Sequence, residues 1–420
     1  MTTFPRRAIL AAAGALALPG IARAQTSARL VIVGGGFGGA SAASFARRRF
    51  PWLDVTLVEP QRAFVTCPYG NLVLAGERRI EQITHSYDGL RARGVRVVHD
   101  RASAVDPVAR SVRLAGGETL SYDRVILSPG IALRWGGVEG YDEAAAARMP
   151  HGWVPGDGTQ TRTLRRMLEE MPDGGVVGMA IPENPFRCPP GPYERISMIA
   201  HYLKRHKPRA KILALDAKEG FSKQPLFQDG WRALYGDMIE WVPASRDGKV
   251  TRVDPAGMVL ETEFGTRHRV AVANVIPPQR AADIAAPFAA ANGWVNVDPL
   301  TFEVRGTPGV HVVGDANNGA PMPKSGYVAN STAKQAVASA AALLRGETPP
   351  EAVYFNTCYS HVGHEYGISV VGVFRVGPQG IAEVQGSGGV SPRGELPEQR
   401  RLEALHADAW SDSITRDRFG

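Results

Sequence analysis

One short run limits the folds open to this chain more than any other: Leu30-Val-Ile-Val-Gly34-Gly-Gly36-Phe-Gly-Gly39. An apolar strand over Arg29–Gly34 leads into Gly34-x-Gly36-x-x-Gly39, and an alanine-rich helix runs on to about Arg49. In such a pattern the first glycine permits a tight turn and the second lets backbone approach a pyrophosphate. The third lets the helix pack close to the strand. The pyrophosphate rests on the helix N-terminus, where unsatisfied N–H groups and the dipole favour an anion. A second strand over Asp54–Glu59 ends in Glu59, twenty residues past Gly39, where a carboxylate can hold a ribose hydroxyl pair. A glycine fingerprint alone is a weak signal. Strand, helix and acid in order make it a nucleotide-binding unit.

Two later segments favour FAD over NAD. Tyr122–Gly130 is a buried strand closing on the turn Ser128-Pro129-Gly130. Val310–Asp315 is another, closing on Gly314-Asp315-Ala316, where an aspartate can hold the ribityl chain of a flavin. With the fingerprint, these segments resemble the FAD-binding half of the two-dinucleotide disulfide reductase superfamily. The expected fold class is α/β, with two Rossmann-like dinucleotide-binding domains in the glutathione-reductase-like manner plus a C-terminal α+β domain. The expected boundaries are 25–145 and 275–348 for a discontinuous FAD domain, 146–274 for the second Rossmann-like domain, and 349–420 for a C-terminal flavin-capping or interface domain.

In the second unit a helix is expected over Thr161–Met171, a strand over Gly175–Ile181, a helix over Pro192–His206 and a strand over Ala210–Asp216. Met258–Phe264 and Val270–Ile276 read as a strand pair. Val95–Val98, Arg113–Leu120 and Ile368–Phe374 read as further strands, Ala329–Leu344 as a helix, and the C-terminus as a charged end. The second unit lacks a NAD fingerprint. Its first strand runs into Pro182-Glu-Asn-Pro-Phe-Arg-Cys-Pro-Pro-Gly-Pro192. Proline has no N–H to offer a phosphate, and its ring blocks close approach. Electrons are therefore expected to enter by a route other than nicotinamide.

Residues 1–24 read as an export signal. Arg6 and Arg7 precede the apolar stretch Ala8–Pro19, and Ala22-Arg-Ala24 offers small residues for cleavage. The stretch is too short to span a bilayer, and the paired arginines fit the twin-arginine route. Cleavage there removes three arginines and no acid, lowering the formal charge from +7 to +4. With no lysine-rich run and no aromatic-basic stripe, nucleic acid is not an expected partner. No membrane span is expected, and the expected location is the periplasm.

The chain has three cysteines, Cys67, Cys188 and Cys358. An odd count in an exported protein leaves one thiol without an internal partner. Spacing leaves three readings of Cys188 and Cys358 open: a structural disulfide, which export favours, a redox-active disulfide beside a flavin, or free thiols. Histidines are scattered and no His/Cys group has ligand spacing, so no metal site is expected. The chain has no Cys-x-x-Cys-His and attaches no c-type haem of its own.

Four runs together resemble the flavin-binding subunit of flavocytochrome c sulfide dehydrogenase. They are Thr66-Cys-Pro68, Pro185-Phe-Arg-Cys-Pro-Pro-Gly-Pro-Tyr-Glu-Arg195, Pro321-Met-Pro-Lys-Ser-Gly-Tyr327 and Asn356-Thr-Cys-Tyr-Ser360. The resemblance extends from about Arg29 to Gly420. Pro68-Tyr-Gly70 and Asn317-Asn318 depart from it. It implies FAD joined through Cys67 to the flavin 8α-methyl, and a Cys188–Cys358 disulfide that hydrosulfide attacks. It implies Cys358 as the flavin-side sulfur and Cys188 as the attacked one, with Arg187 and the helix N-terminus near Pro192 favouring thiolate at Cys188. Glu194 is the candidate proton acceptor, with a first-turn acid on the helix dipole as the plain alternative. Lys324 and the helix after Tyr327 are candidates for positive charge at the flavin pyrimidine. A separate cytochrome c subunit is implied as electron acceptor. Two other functions stay open: sulfide:quinone oxidoreductase, and a non-catalytic redox partner of a sulfur-oxidation complex.

Overall fold

A computed structural model describes residues 27–154, 156–394 and 396–420; the export signal expected over 1–24 lies outside the described residues. The strand Ala28–Val33 forms beside Leu53–Val58 and Arg124–Leu127, parallel to both. Its residues Leu30, Val31, Ile32 and Val33 are all buried, the pattern of a strand covered on both faces. The sheet has six strands in the order Glu303–Val304, Thr307–Val312, Arg124–Leu127, Ala28–Val33, Leu53–Val58, Arg96–Val98. The helix Phe37–Arg49 buries Ala40, Ser41, Ala43 and Ser44, small side chains that let Gly326–Leu344 lie close against it. Arg47, Arg48 and Arg49 occupy its last turn, where cations complement the dipole.

Arg113–Leu120 is not one strand. Ser111–Leu114 and Thr119–Ser121 form a hairpin, because Gly117 turns the chain at φ 96°. The second unit has four parallel strands in the order Ile239–Val242, Lys211–Asp216, Val176–Ile181, Val272–Val275. The expected pairing of Met258–Phe264 with Val270–Ile276 does not form. Val259–Thr262 pairs with Val250–Asp254 and Arg267–Arg269 in a separate antiparallel sheet. Val272–Val275 is buried at every position, so it joins the covered parallel sheet instead.

The C-terminal part is built on a long hairpin, Val353–Gly363 with Tyr366–Gly377. The charged end is not a tail. Pro397–Phe419 is a 23-residue helix that buries Arg400, Glu403, Ala404, Ala407, Ile414, Arg418 and Phe419. It lies so close to the hairpin that a Cβ on Gly367 would stand 2.4 Å from the Ala404 nitrogen. Its last turn returns to the first unit, where Asp417 pairs with Arg48 at 2.6 Å and Lys334 at 2.8 Å. Among the described residues no helix is long and apolar enough to cross a membrane, and no cluster of metal-ligating side chains occurs.

Candidate active site

The glycine turn is shaped by contacts that leave no room for side chains. Gly34 holds φ 98°, and a Cβ there would lie 2.3 Å from the Ser128 carbonyl oxygen. A Cβ on Gly39 would lie 1.7 Å from the Gly34 oxygen, so the third glycine seats the helix on the strand. Gly36 differs: a Cβ there would meet only a Phe64 ring carbon at 3.6 Å, and the residue opens onto a cavity. Glu59 lines the same cavity. Its Oε2 accepts from the Gly35 N–H at 2.7 Å and its Oε1 from the Gln61 N–H at 2.9 Å. Each oxygen keeps capacity for a further donor.

Pro129, Gly130, Cys67, Asp315 and Lys324 line this cavity too, brought from four separate stretches of chain. Asp315 is the informative one. Its Oδ1 is buried without a hydrogen-bond partner, and burial pushes its carboxyl upward in pKa. A buried acceptor without a donor calls for a partner, and a ribityl hydroxyl would supply one. The residues present therefore fit FAD. Lys324 is committed elsewhere. Its Nζ donates to the Asp315 and Asn317 carbonyls at 2.8 and 2.7 Å and lies 3.7 Å from the Trp294 ring centroid. Burial lowers its pKa to about 8. Those bonds hold the turn after Asp315 at the cavity wall. Tyr327 does not line the cavity; it sits on the first turn of Gly326–Leu344. That turn is drawn in by Gly326, where a Cβ would press to 2.8 Å of the Phe37 ring.

Cys67 follows the short strand Ala63–Val65, and its carbonyl accepts from the Gly70 N–H at 3.0 Å. In the departing segment Pro68-Tyr-Gly70, Tyr69 turns inward and donates to Asp408 of the C-terminal helix at 2.6 Å. Nearby, the Arg418 guanidinium lies 3.8 Å from the Phe37 ring centroid, 4.7 Å from Phe419 and 5.4 Å from Phe64. Burial lowers its pKa to about 9, and the Cys67 sulfur is the first group that opposes the fall.

Cys188 and Cys358 meet although distant in sequence: both line one cavity, with no S–S bond between them. Cys188 has φ 57°, a region L-residues rarely adopt, which costs about 1–3 kcal/mol. Its N–H donates to the Lys324 carbonyl at 2.7 Å and its carbonyl accepts from the Gly191 N–H at 2.8 Å. Gly191 is needed there, since a Cβ would stand 3.0 Å from the Cys188 sulfur. Cys188 lines the flavin-type cavity and Cys358 does not. Both line a second cavity of about 210 Å³, walled by Pro189, Pro190, Pro321 and Pro323. The expected order is thus reversed: the sulfur at the nucleotide cavity is Cys188, and Cys358 lies behind it. The environment of the pair also runs against the expected thiolate at Cys188. The neighbouring Cys358 sulfur, then burial, pushes Cys188 up, while Cys188 and Lys223 bring Cys358 down against the opposing effect of burial. Arg187 does not pair with the sulfur; it lies 5.7 Å from the Trp153 ring centroid with its Nε unpartnered.

Glu194 lies on the first turn of Gly191–His206 but is not a solvated dipole partner. It is buried, with Oε1 accepting from the His361 N–H at 3.1 Å and Oε2 from Asn71 at 3.0 Å. Burial raises its pKa to about 7, which suits proton exchange near neutrality. Sequence reasoning missed Lys223, Asn71 and Arg195. Asn71 and Arg195 bond each other at 3.1 Å, and Arg195 also donates to the His151 and Gly152 carbonyls. For Arg195 the signal was its place at the end of the long proline-glycine run. For Lys223 there was none, since a lysine before Gln-Pro reads as a surface residue.

In the second unit the corresponding strand end is filled from within. Asp216 ends the second strand, where Glu59 stands in the first unit, but it is fully buried. It accepts from Tyr193 at 2.6 Å, Trp241 at 3.0 Å and Lys218 at 2.6 Å. Tyr193 stacks on Phe221 at 3.6 Å between ring centroids.

An α/β chain with an open FAD-type cavity, and a cysteine pair reaching it through Cys188, has the makings of a flavin-dependent disulfide oxidoreductase. Residues 28–151 match the pyridine nucleotide-disulphide oxidoreductase family. Residues 161–277 match the central domain of sulfide dehydrogenase (flavocytochrome c) flavoprotein chains, and residues 350–419 the flavin-binding domain of flavocytochrome c sulphide dehydrogenase. The chain is 62% identical over 45 residues to the sulfide dehydrogenase (flavocytochrome c) flavoprotein chain of Chlorobaculum thiosulfatiphilum, which covers 94% of that sequence and 11% of this one. It belongs to the family of flavocytochrome c sulfide dehydrogenase flavoprotein chains. It is also 25% identical over 317 residues to the mitochondrial sulfide:quinone oxidoreductase of Mus musculus, which is 70% of this chain and 67% of that one. Among solved structures it resembles the sulfide:quinone oxidoreductase of Aquifex aeolicus, with TM-score 0.70 and 17% identity over 94% of this chain and 92% of that one.

Proposed function

We propose that this chain is the catalytic flavoprotein of a periplasmic sulfide dehydrogenase that hands electrons to a separate c-type cytochrome. The observation that carries the reading is the meeting of Cys188 and Cys358 between two cavities, one fitting FAD and one closed by prolines. The pair cycles between two thiols and a disulfide. Hydrosulfide enters the proline-walled cavity and attacks the Cys358 sulfur of the disulfide. The new S–S bond makes a persulfide there, and the old bond breaks with its electron pair on Cys188. Glu194 takes the hydrosulfide proton. A second hydrosulfide attacks the persulfide and releases disulfane, leaving two thiols. Bound FAD supplies the two-electron acceptor that returns those thiols to the disulfide. Gly36, Glu59 and Asp315 hold that cofactor, and Cys67 tethers it through a thioether.

The leader with Arg6 and Arg7 supports export. Exposed apolar side chains on the C-terminal part, among them Phe355, Val371, Val390 and Leu405, support a protein partner. The same exposed residues suit the quinone reading, so the acceptor is tested directly. Anaerobic sulfide should bleach the flavin of the wild type and fail to bleach Cys358→Ser. Equal bleaching in that variant sinks the disulfide route. Faster turnover with a soluble quinone than with cytochrome c replaces the cytochrome. Complete release of flavin by acid precipitation excludes the Cys67 thioether. Loss of the protein from the periplasmic fraction when Arg6 and Arg7 become lysine supports twin-arginine export.

A further inference from the structure

The sulfur pair has a cationic neighbour that the steps above leave idle. Lys223 stands just before the helix Gln224–Tyr235 with φ 61°, and it is only 6% exposed. Its Nζ donates to the Cys358 carbonyl at 3.1 Å and to the Ser360 hydroxyl at 2.9 Å. Both acceptors are neutral. An ammonium buried this deeply is costly unless an anion balances it.

The groups able to supply that anion come from each packed element: Cys358 on the hairpin, Cys188 and Glu194 at the start of Gly191–His206, and Glu403 on the C-terminal helix. Glu403 is already held by Ser391 at 2.5 Å and Gln399 at 3.0 Å, with Arg400 nearby. Glu194 is bonded to Asn71 and the His361 N–H, and burial favours its neutral form. The neighbouring His361 ring is buried and held toward neutrality by that burial. Arg195, which interacts with Cys188, and Arg187, its neighbour in sequence, both lie over the Trp153 ring. Ser360, whose hydroxyl takes the Lys223 ammonium, lies two residues from Cys358 on the strand Val353–Gly363, so the Cys358 side chain stands on the same face of the strand as that contact, and its sulfur is the site for negative charge on the hairpin beside Lys223.

We propose that Lys223 is a positioning residue that favours negative charge on the Cys358 side of the pair, as the Cys358 thiolate in the reduced pair and as the terminal-sulfur anion of the Cys358 persulfide after hydrosulfide attack. This rests on the sulfide reading above. The attack joins hydrosulfide sulfur to the Cys358 Sγ, breaks the Cys188–Cys358 bond, leaves the electron pair on Cys188 and sends the proton to Glu194. No further reactant is needed. Lys223 touches none of the bonds that change; it acts through the charge it stabilises.

The test uses the full FAD-loaded protein, reduced anaerobically with dithiothreitol. Iodoacetamide labelling of the Cys358 peptide is followed by mass spectrometry across about pH 5 to 9. Wild type should label well below the range of an ordinary thiol. Lys223→Met should label Cys358 about tenfold more slowly at pH 6, one pH unit of displacement, while Lys223→Arg keeps the wild-type profile. Ser360→Ala, which removes an anchor of the ammonium, should move the profile the same way by less and serves if Lys223→Met does not fold. Unchanged profiles in both Lys223→Met and Ser360→Ala overturn the proposal, as does an ordinary thiol profile in wild type. Sulfide bleaching with no displaced profile leaves the sulfide reading and removes the role of Lys223. A displaced profile with no sulfide bleaching keeps that role and removes the sulfide reading.

Discussion

The two nucleotide-type units of this chain are built alike and finished differently. Each begins with a parallel strand, Ala28–Val33 or Val176–Ile181, that feeds a turn and a helix. Each has an acid at the end of its second strand. In the first unit the turn is glycine, Glu59 keeps part of its surface, and Asp315 leaves an oxygen without a partner. In the second the turn is proline-rich, Asp216 is enclosed by Tyr193, Trp241 and Lys218, and aromatic rings fill the space beside it. A nucleotide site is made by leaving polar groups unsatisfied at strand ends; satisfying them from within turns the same fold into scaffold. The loop released from phosphate binding then carries Cys188 to the other unit's cavity.

The sharpest way to break this comparison is to fill the open site. Gly36→Val places a side chain where the structure leaves space toward the cavity. Purified variant should carry almost no flavin, read from the ratio of flavin to protein absorbance. Normal flavin content in a folded variant would mean that the cofactor lies elsewhere. The complementary measurement is NADH added anaerobically to wild type: the flavin should stay oxidised, and bleaching would show that the second unit is open after all. Next in size is Cys188→Ser, which removes the sulfur at the cavity. Sulfide-driven flavin reduction should fall on the order of 10³-fold or more in stopped-flow traces, with flavin content unchanged.

The first unit was legible because its chemistry is written in backbone geometry. Gly34, Gly36, Gly39 and Glu59 recur at fixed spacing, since a turn, a close approach and a ribose contact allow few substitutes. The prolines between Ile181 and Pro192 announced the loss of the second site for the same reason. The order of the sulfurs was not legible. Which cysteine faces the cavity depends on the positive φ of Cys188 and on the Lys324 carbonyl that anchors it, a contact across two domains. Lys223 and Asn71 were invisible because their roles come only from burial, and neither sits in a patterned run. The C-terminal helix was hidden by its charges: Arg400, Glu403 and Arg418 look solvated in sequence and are buried in the fold.

Glu194 sharpens the comparison at the seam between the units. Its pKa stands at about 7, above the ordinary carboxylate value of about 4.5, raised chiefly by burial. As proton acceptor it works only when ionised, so sulfide-driven reduction should rise with pH through about 7. Glu194→Gln should be about 10²-fold slower with that rise abolished. The same shift has a stability consequence. The native state binds this proton more tightly than the unfolded chain, so stability from this group is present below about 4.5 and is lost as pH climbs toward about 7. The glutamine variant should therefore lose less stability than wild type over that interval in thermal melts. A wild-type rate that does not change with pH there would remove Glu194 from the proton step.

The smallest expected effect probes the closed unit from inside. Tyr193→Phe deletes one hydrogen bond to Asp216 and keeps the ring stacked on Phe221. Asp216 retains Trp241 and Lys218. A lost hydrogen bond to a charged group costs about 1.5–3 kcal/mol, so the melting temperature should drop by a few degrees. Flavin content, the sulfide-driven rate and the silence toward NADH should all stay as in wild type. If the enclosed carboxylate were a nucleotide site merely occluded by tyrosine, opening it would raise affinity for NADH or a nucleotide analogue. A melting shift without such binding means that the second unit is scaffold by construction, because its proline turn lacks the N–H groups that a phosphate requires.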